Sequence, residues 1–188
     1  MHQYTTQRYL ALCILANSLL IPADYAWAAG ETRYEFENEH VRLRLSTRTP
    51  QQMSGFYEGR GFPKNVIAET RNACFITVGL RNKSRDIVWL DLGKWSFHAD
   101  STEIRRIHRD DWKQRWHTMA VPLRIQSTFR WTLLPENLDL RPDEGEGGKI
   151  TIPRNDKPFS LHIVFDTGKD RKGQPIEIST TPLVCPES

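Results

Sequence analysis

The sequence predicts an all-β domain, a sandwich or barrel of short strands interrupted by one or two short helices. Three observations predict it. Runs of strand length, alternating or continuously apolar, recur along the chain. Turn residues separate them at the short spacing of stacked antiparallel sheets. Helical spacing of apolar residues is confined to two places. The composition agrees: 188 residues, 38% hydrophobic, with 26 Lys and Arg against 23 Asp and Glu, a net charge of +3. That excludes a disordered chain, and three cysteines are too few for a disulfide scaffold.

The first residues read as an export signal. A polar start carrying Arg8 leads into the apolar run Tyr9 to Ile21, broken by Pro22, and Ala26-Trp27-Ala28 supplies a cleavage site. The run is shorter than the roughly 20 residues that span a bilayer. Residues 1–28 are therefore expected to be a secretory signal peptide and 29–188 a single domain with no membrane span, periplasmic or secreted.

The elements follow in order. Val41-Arg42-Leu43-Arg44-Leu45 alternates as a half-buried strand does. Thr49-Pro50-Gln51-Gln52 offers a capping residue, a proline at the first helical position and a glutamine at the third, with Met53, Phe56 and Tyr57 then sharing one face. Cys74, Ile76, Val78 and Leu80 share a strand face that ends at Asn82-Lys83-Ser84. Ile87 to Leu92 and Trp95-Ser96-Phe97 continue the set, and Glu103 to His108 folds back across Ala99-Asp100-Ser101. Asp110 caps a second short helix bearing Trp112 and Trp116, one turn apart. Phe129 to Leu134, Lys149 to Ile152, Phe159 to Phe165 and Pro175 to Thr180 read as strands, and Leu138 to Ile152 as a strand, an acidic Pro/Gly turn and a second strand.

The pattern Leu138-x-Leu140-x-Pro142-x-Glu144 with Gly148, Ile150 and Ile152, followed by Phe159-x-Leu161-x-Ile163, resembles the second half of the immunoglobulin-like β-sandwich domains common in exported bacterial proteins. Val78 to Leu90 is similar to their central strand pair. The resemblance covers about residues 72–184 and implies a fold, with the helical segments as insertions, more than an activity.

Two cysteines remain after signal removal. In an oxidising compartment Cys74 and Cys185 are expected to pair and close most of the mature chain.

Chemical motifs are few. Asp166-Thr167-Gly168 matches an aspartic-protease triplet, but Lys169 follows it and too little chain remains for a second lobe. No Gly-x-Ser-x-Gly elbow and no phosphate loop occurs. The segment Arg105 to His117 stands out, with five cations, two carboxylates and two tryptophans. Cations beside aromatics bind anions and protein surfaces. Arg105, Arg106, Arg109, Trp112, Arg115 and Trp116 are accordingly the expected recognition surface of a non-enzymatic binding or accessory protein. Its partner is expected to be an envelope protein or an anionic ligand. Nucleic acid is excluded by compartment and by a pI of only 8.8. This reading needs no cofactor. An alternative is metal handling, with His117 and Met119, joined by His108, offering the imidazole and thioether donors that suit copper.

Overall fold

A computed structural model describes residues 32–187; the expected signal peptide at 1–28 lies outside them. Ten strands form two antiparallel sheets. The first carries β1 (Arg33–Glu37), β2 (Val41–Arg48), β3 (Ala73–Asn82) and β8 (Gly145–Pro153) in that order. The second contains β4 (Val88–Asp91), β5 (Ser96–Ala99), β6 (Thr102–Glu103), β7 (Asn137–Leu140), β9 (Ser160–Thr167) and β10 (Ile176–Ser179). In it, β9 pairs with β4, β5 and β10, β6 pairs with β5, and β7 with β4. The inner faces meet across one apolar core, with Val41, Leu43, Ile76 and Val78 on one side and Leu90, Phe97, Ile163 and Phe165 on the other. Alternation places these side chains inward, because a strand sends successive residues to opposite faces.

Cys74 on the inner face of β3 is bonded to Cys185, 111 positions away, as expected from the sequence, and the Cα atoms stand 5.6 Å apart. The segment ending in Cys185 is also held by paired backbone bonds between Phe159 and Leu183.

Four helices, not one or two, cover the outer face of the first sheet: α1 (Pro50–Glu58), α2 (Lys64–Thr70), α3 (Arg109–Thr118) and α4 (Leu123–Thr132). They enclose a second core around Tyr57, Phe75, Trp112, Trp116, Ile125 and Phe129. The capping box at Thr49 forms as its sequence demands: Gln52 N donates to Thr49 Oγ1 at 3.1 Å, and Thr49 N to Gln52 Oε1 at 2.9 Å.

Two corrections concern the elements. Of Phe129 to Leu134, expected as a strand, the part up to Thr132 is the last turn of α4, which buries Ile125 and Phe129 one turn apart, and Leu133 caps it. The cap of α3 is His108 rather than Asp110, with Asp111 Oδ2 accepting from His108 N at 2.8 Å. The strand, acidic turn and second strand expected at Leu138 to Ile152 are present, and the two strands pair in different sheets. β7 lies in the second sheet and β8 in the first, so the Arg141–Glu144 turn carries the chain from one sheet to the other.

Candidate functional site

The segment 105–117 does not form one surface; α3 divides it. Trp112 and Trp116 are 0% and 1% exposed. Their rings stack 5.1 Å apart and meet Phe129 at 4.9 and 5.0 Å. Trp112 Nε1 donates to Thr151 Oγ1 at 2.9 Å, and that hydroxyl donates onward to the Ile107 carbonyl. The expectation that both rings are presented to a partner is corrected. At i and i+4 they form the apolar stripe that fixes α3 to the sheet, and burial of about 200 Å² of ring each outweighs any gain from exposure.

The cations divide accordingly. Arg106 is 6% exposed and makes a buried ion pair with Glu136, and Nη2 also contacts His108 Nδ1 at 3.1 Å. Arg105 binds Asp111 at 2.9 Å, and Arg115 binds Glu69 at 3.4 Å while lying over the Trp112 ring. Both therefore border a shallow depression on one flank of α3. Arg109 lies on the opposite flank with Lys113, one turn further along.

That opposite flank is the wall of a groove of about 770 Å³ between α3 and α4. Trp112, Trp116 and Phe129 lie beneath it, each no more than 1% exposed, and Leu123 and Pro135 add apolar lining. His108 at the cap and Arg109, Asp110 and Lys113 line it from α3, Gln126 and Arg130 from α4, and Glu136 and Asn137 from the segment after α4. Arg109 donates to the Leu133 carbonyl, which holds the loop after α4 beneath the guanidinium. Burial and then the nearby Arg130 charge lower the Arg109 pKa from its ordinary value, so the groove is a site of cationic repulsion. Burial pushes the Glu136 carboxyl up, but its hydrogen bond to Arg106 outweighs this with help from the Arg106 charge, and the net pKa lies below the ordinary value. Glu136 is therefore an ionised partner of Arg106, and it also accepts from Arg109 N at 3.3 Å and partly offsets the Arg109 charge.

Two donors on this lining, Arg109 Nε and Trp116 Nε1, are buried and find no acceptor among the described residues. A buried donor without an acceptor costs roughly 1–3 kcal/mol.

The metal reading loses its third donor. His108 caps the start of α3 and His117 lies in its last turn, nine residues of helical rise or roughly 13 Å away, so the two imidazoles cannot meet one ion. Met119, just past the helix, is half-buried against the helical core. Among the described residues no group of three or more His, Cys, Asp or Glu side chains is placed to hold a metal.

The α4 wall of the groove was not found from sequence. The signal was present: Ile125 and Phe129 at i and i+4 behind Pro122. The aromatic run from Phe129 onward masked it.

No family model matches the chain, and no curated protein matches it. Two solved structures are similar to it. One is the ycdA protein of Bacillus subtilis, described as a candidate lipoprotein, at 10% identity over 79% of this chain and a TM-score of 0.43. This chain spans 38% of the length of ycdA. The other is the yjhA protein of Bacillus subtilis, at 10% identity over 69% of this chain and 76% of that one, with a TM-score of 0.39. Among the described residues no helix is long and apolar enough to cross a membrane.

Proposed function

We propose that this protein is an exported, periplasmic, non-enzymatic binding or accessory protein whose recognition site is the groove between α3 and α4, and that its ligand carries an anionic group on an apolar body. The observation that carries the reading is the combination of three cations, Arg109, Lys113 and Arg130, with apolar lining from Leu123 and Pro135 above the buried rings of Trp112, Trp116 and Phe129 in one groove of about 770 Å³. Ligand sites are of this size and pair an apolar lining with a few polar groups. Two carboxylates, Asp110 and Glu136, line the groove; Glu136 is committed to Arg106 and held below its ordinary pKa, which makes it a poor proton acceptor, and the cations outnumber the carboxylates, which favours binding of an anion. Export rests on the signal-like pattern before Ala28. The same reading takes the two facing sheets as an immunoglobulin-like sandwich with the helices added as a third layer. Its support is the turn pattern from Leu138 to Ile152.

The test uses anilinonaphthalenesulfonate, an apolar aromatic with one fixed negative charge. Its fluorescence is expected to rise saturably on adding the folded protein, with one site per chain. Lys113→Glu combined with Arg130→Glu should weaken the affinity about tenfold or more, since hydrogen bonds to charged groups contribute about 1.5–3 kcal/mol each. Equal affinity in the charge-reversed protein, with unchanged circular dichroism, overturns the proposal.

A further inference from the structure

Two large apolar side chains are strongly exposed among the described residues, Leu123 at 81% and Trp131 at 84%. Both belong to α4, at positions i and i+8 with Ser127 between them, so they lie on one solvent-facing stripe about 12 Å long. Leu123 forms part of the groove lining, whereas Trp131 lies outside it. A small ligand confined to the groove leaves Trp131 in water. An occupant that covers both residues must extend from the groove over the outer face of α4.

Charge identifies that occupant. α4 carries Arg124 and Arg130 and no carboxylate, and Arg109 and Lys113 face it across the groove; of the two carboxylates on the lining, Glu136 is paired with Arg106, which leaves Asp110 against these four cations. A second copy of this chain would bring the same arginines against one another, because a two-fold contact sets like surface against like. A flat anionic bilayer does not fill a concave groove whose walls present Gln126 and Asn137 for directional hydrogen bonds. What fits is a polypeptide segment with an apolar anchor and carboxylates beside it.

We infer that the α3–α4 groove and the Leu123–Trp131 stripe together form a docking surface for an acidic, amphipathic segment of a partner protein. Trp131 is its outer anchor, and Arg109, Lys113 and Arg130 receive its carboxylates. This inference rests on the groove reading above and narrows its ligand to a protein. Tryptophan and arginine dominate the binding energy of such interfaces, and an exposed tryptophan of this kind is the expected anchor.

The experiment pans a displayed random-peptide library against the full folded protein and measures synthetic versions of the enriched peptides. The expected peptides carry at least two Asp or Glu residues near an aromatic or aliphatic anchor. Their affinity should fall about tenfold or more in Trp131→Ala and again in the Lys113→Glu, Arg130→Glu protein. Trp131→Ala is a surface change, so folding is retained, and anilinonaphthalenesulfonate binding should be unchanged. Four outcomes overturn the inference. Enriched peptides may bind Trp131→Ala as tightly as the parent, or the enriched peptides may lack acidic residues. Sedimentation may show a dimer that Trp131→Ala dissociates, or anionic phospholipid vesicles may bind in a Trp131-dependent way. In all four the groove reading survives if the dye still binds and the charge reversal still weakens it. Loss of that dye result removes the groove reading and this inference with it.

Discussion

Trp112 and Trp116 are one turn apart and equally buried, yet they differ in one respect that can be measured. The Trp112 indole N–H donates to Thr151 Oγ1 at 2.9 Å, whereas the Trp116 indole N–H has no acceptor among the described residues. Replacing either by phenylalanine leaves a gap of roughly 40 Å³, worth about 1 kcal/mol at some 24 cal/mol per Å³. Trp112→Phe also removes a buried hydrogen bond, a further loss of about 1 kcal/mol, for a total near 2 kcal/mol. Trp116→Phe removes an unpaired buried donor instead, and recovering about 1 kcal/mol of desolvation cancels the gap. The two variants should therefore differ by about 2 kcal/mol. In urea denaturation that separates their midpoints by about 1 M at equal slope. Equal losses, or a greater loss for Trp116→Phe, would refute the assignment of the two rings to one core with one satisfied and one unsatisfied donor.

Further tests follow from other elements. Burial, with the Arg60 and Arg48 charges next, lowers the Lys149 pKa from 10.5 to about 8, and its ammonium lies 3.6 Å from the Phe56 ring centroid. The full displacement corresponds to roughly 3 kcal/mol, which partial exposure reduces to about 1–2 kcal/mol. Because the folded-state pKa lies below the unfolded one, charged Lys149 destabilises the fold fully below pH 8, and the penalty is relieved as pH rises to 10.5. Lys149→Met should therefore stabilise the protein at pH 7, with the gain fading by pH 10.5 in thermal melts; a gain that grows with pH would contradict this. Paired Cys74→Ser and Cys185→Ser replacement opens a loop of 111 positions and should cost about 4–5 kcal/mol, read from the same melts against the oxidised, disulfide-bonded parent. Arg106→Met leaves Glu136 half-buried without its cation and should cost about 2–4 kcal/mol at pH 7, with the deficit shrinking as Glu136 is protonated in acid.

Much of the sheet architecture was legible because its signals are local. Val41 to Leu45 alternates, Cys74 to Leu80 alternates, and the Thr49 capping box is written in four consecutive residues. β1 has the same signature in Arg33-Tyr34-Glu35-Phe36-Glu37, but its half-buried Tyr34 and Phe36 pack at the core's margin and give a weaker contrast. The third layer was not legible as a layer. α2 is a single short helix behind Pro63 with no side-chain cap, and α4 ends in a run of aromatic and β-branched residues whose strand preference is overridden by burial of Ile125 and Phe129. The site was half legible for the same reason. Arg109 to Trp116 drew notice as cations beside aromatics, but which of these residues face water depends on the sheet beneath them. Phe75 and Thr151 come from β3 and β8, which lie far apart in the chain. The facing wall, with Gln126 and Arg130, becomes visible only once α4 is recognised as a helix.

The central claim is that the groove between α3 and α4 is where this protein binds. Nitrogen-detected NMR of the folded protein, titrated with anilinonaphthalenesulfonate and then with an enriched acidic peptide, locates binding directly. The account predicts that both ligands shift the Arg109 and Arg130 side-chain Nε resonances and the Trp116 indole, and that only the peptide shifts the Trp131 indole. Shifts confined to the edge strand β1, with these four resonances unmoved, would contradict it.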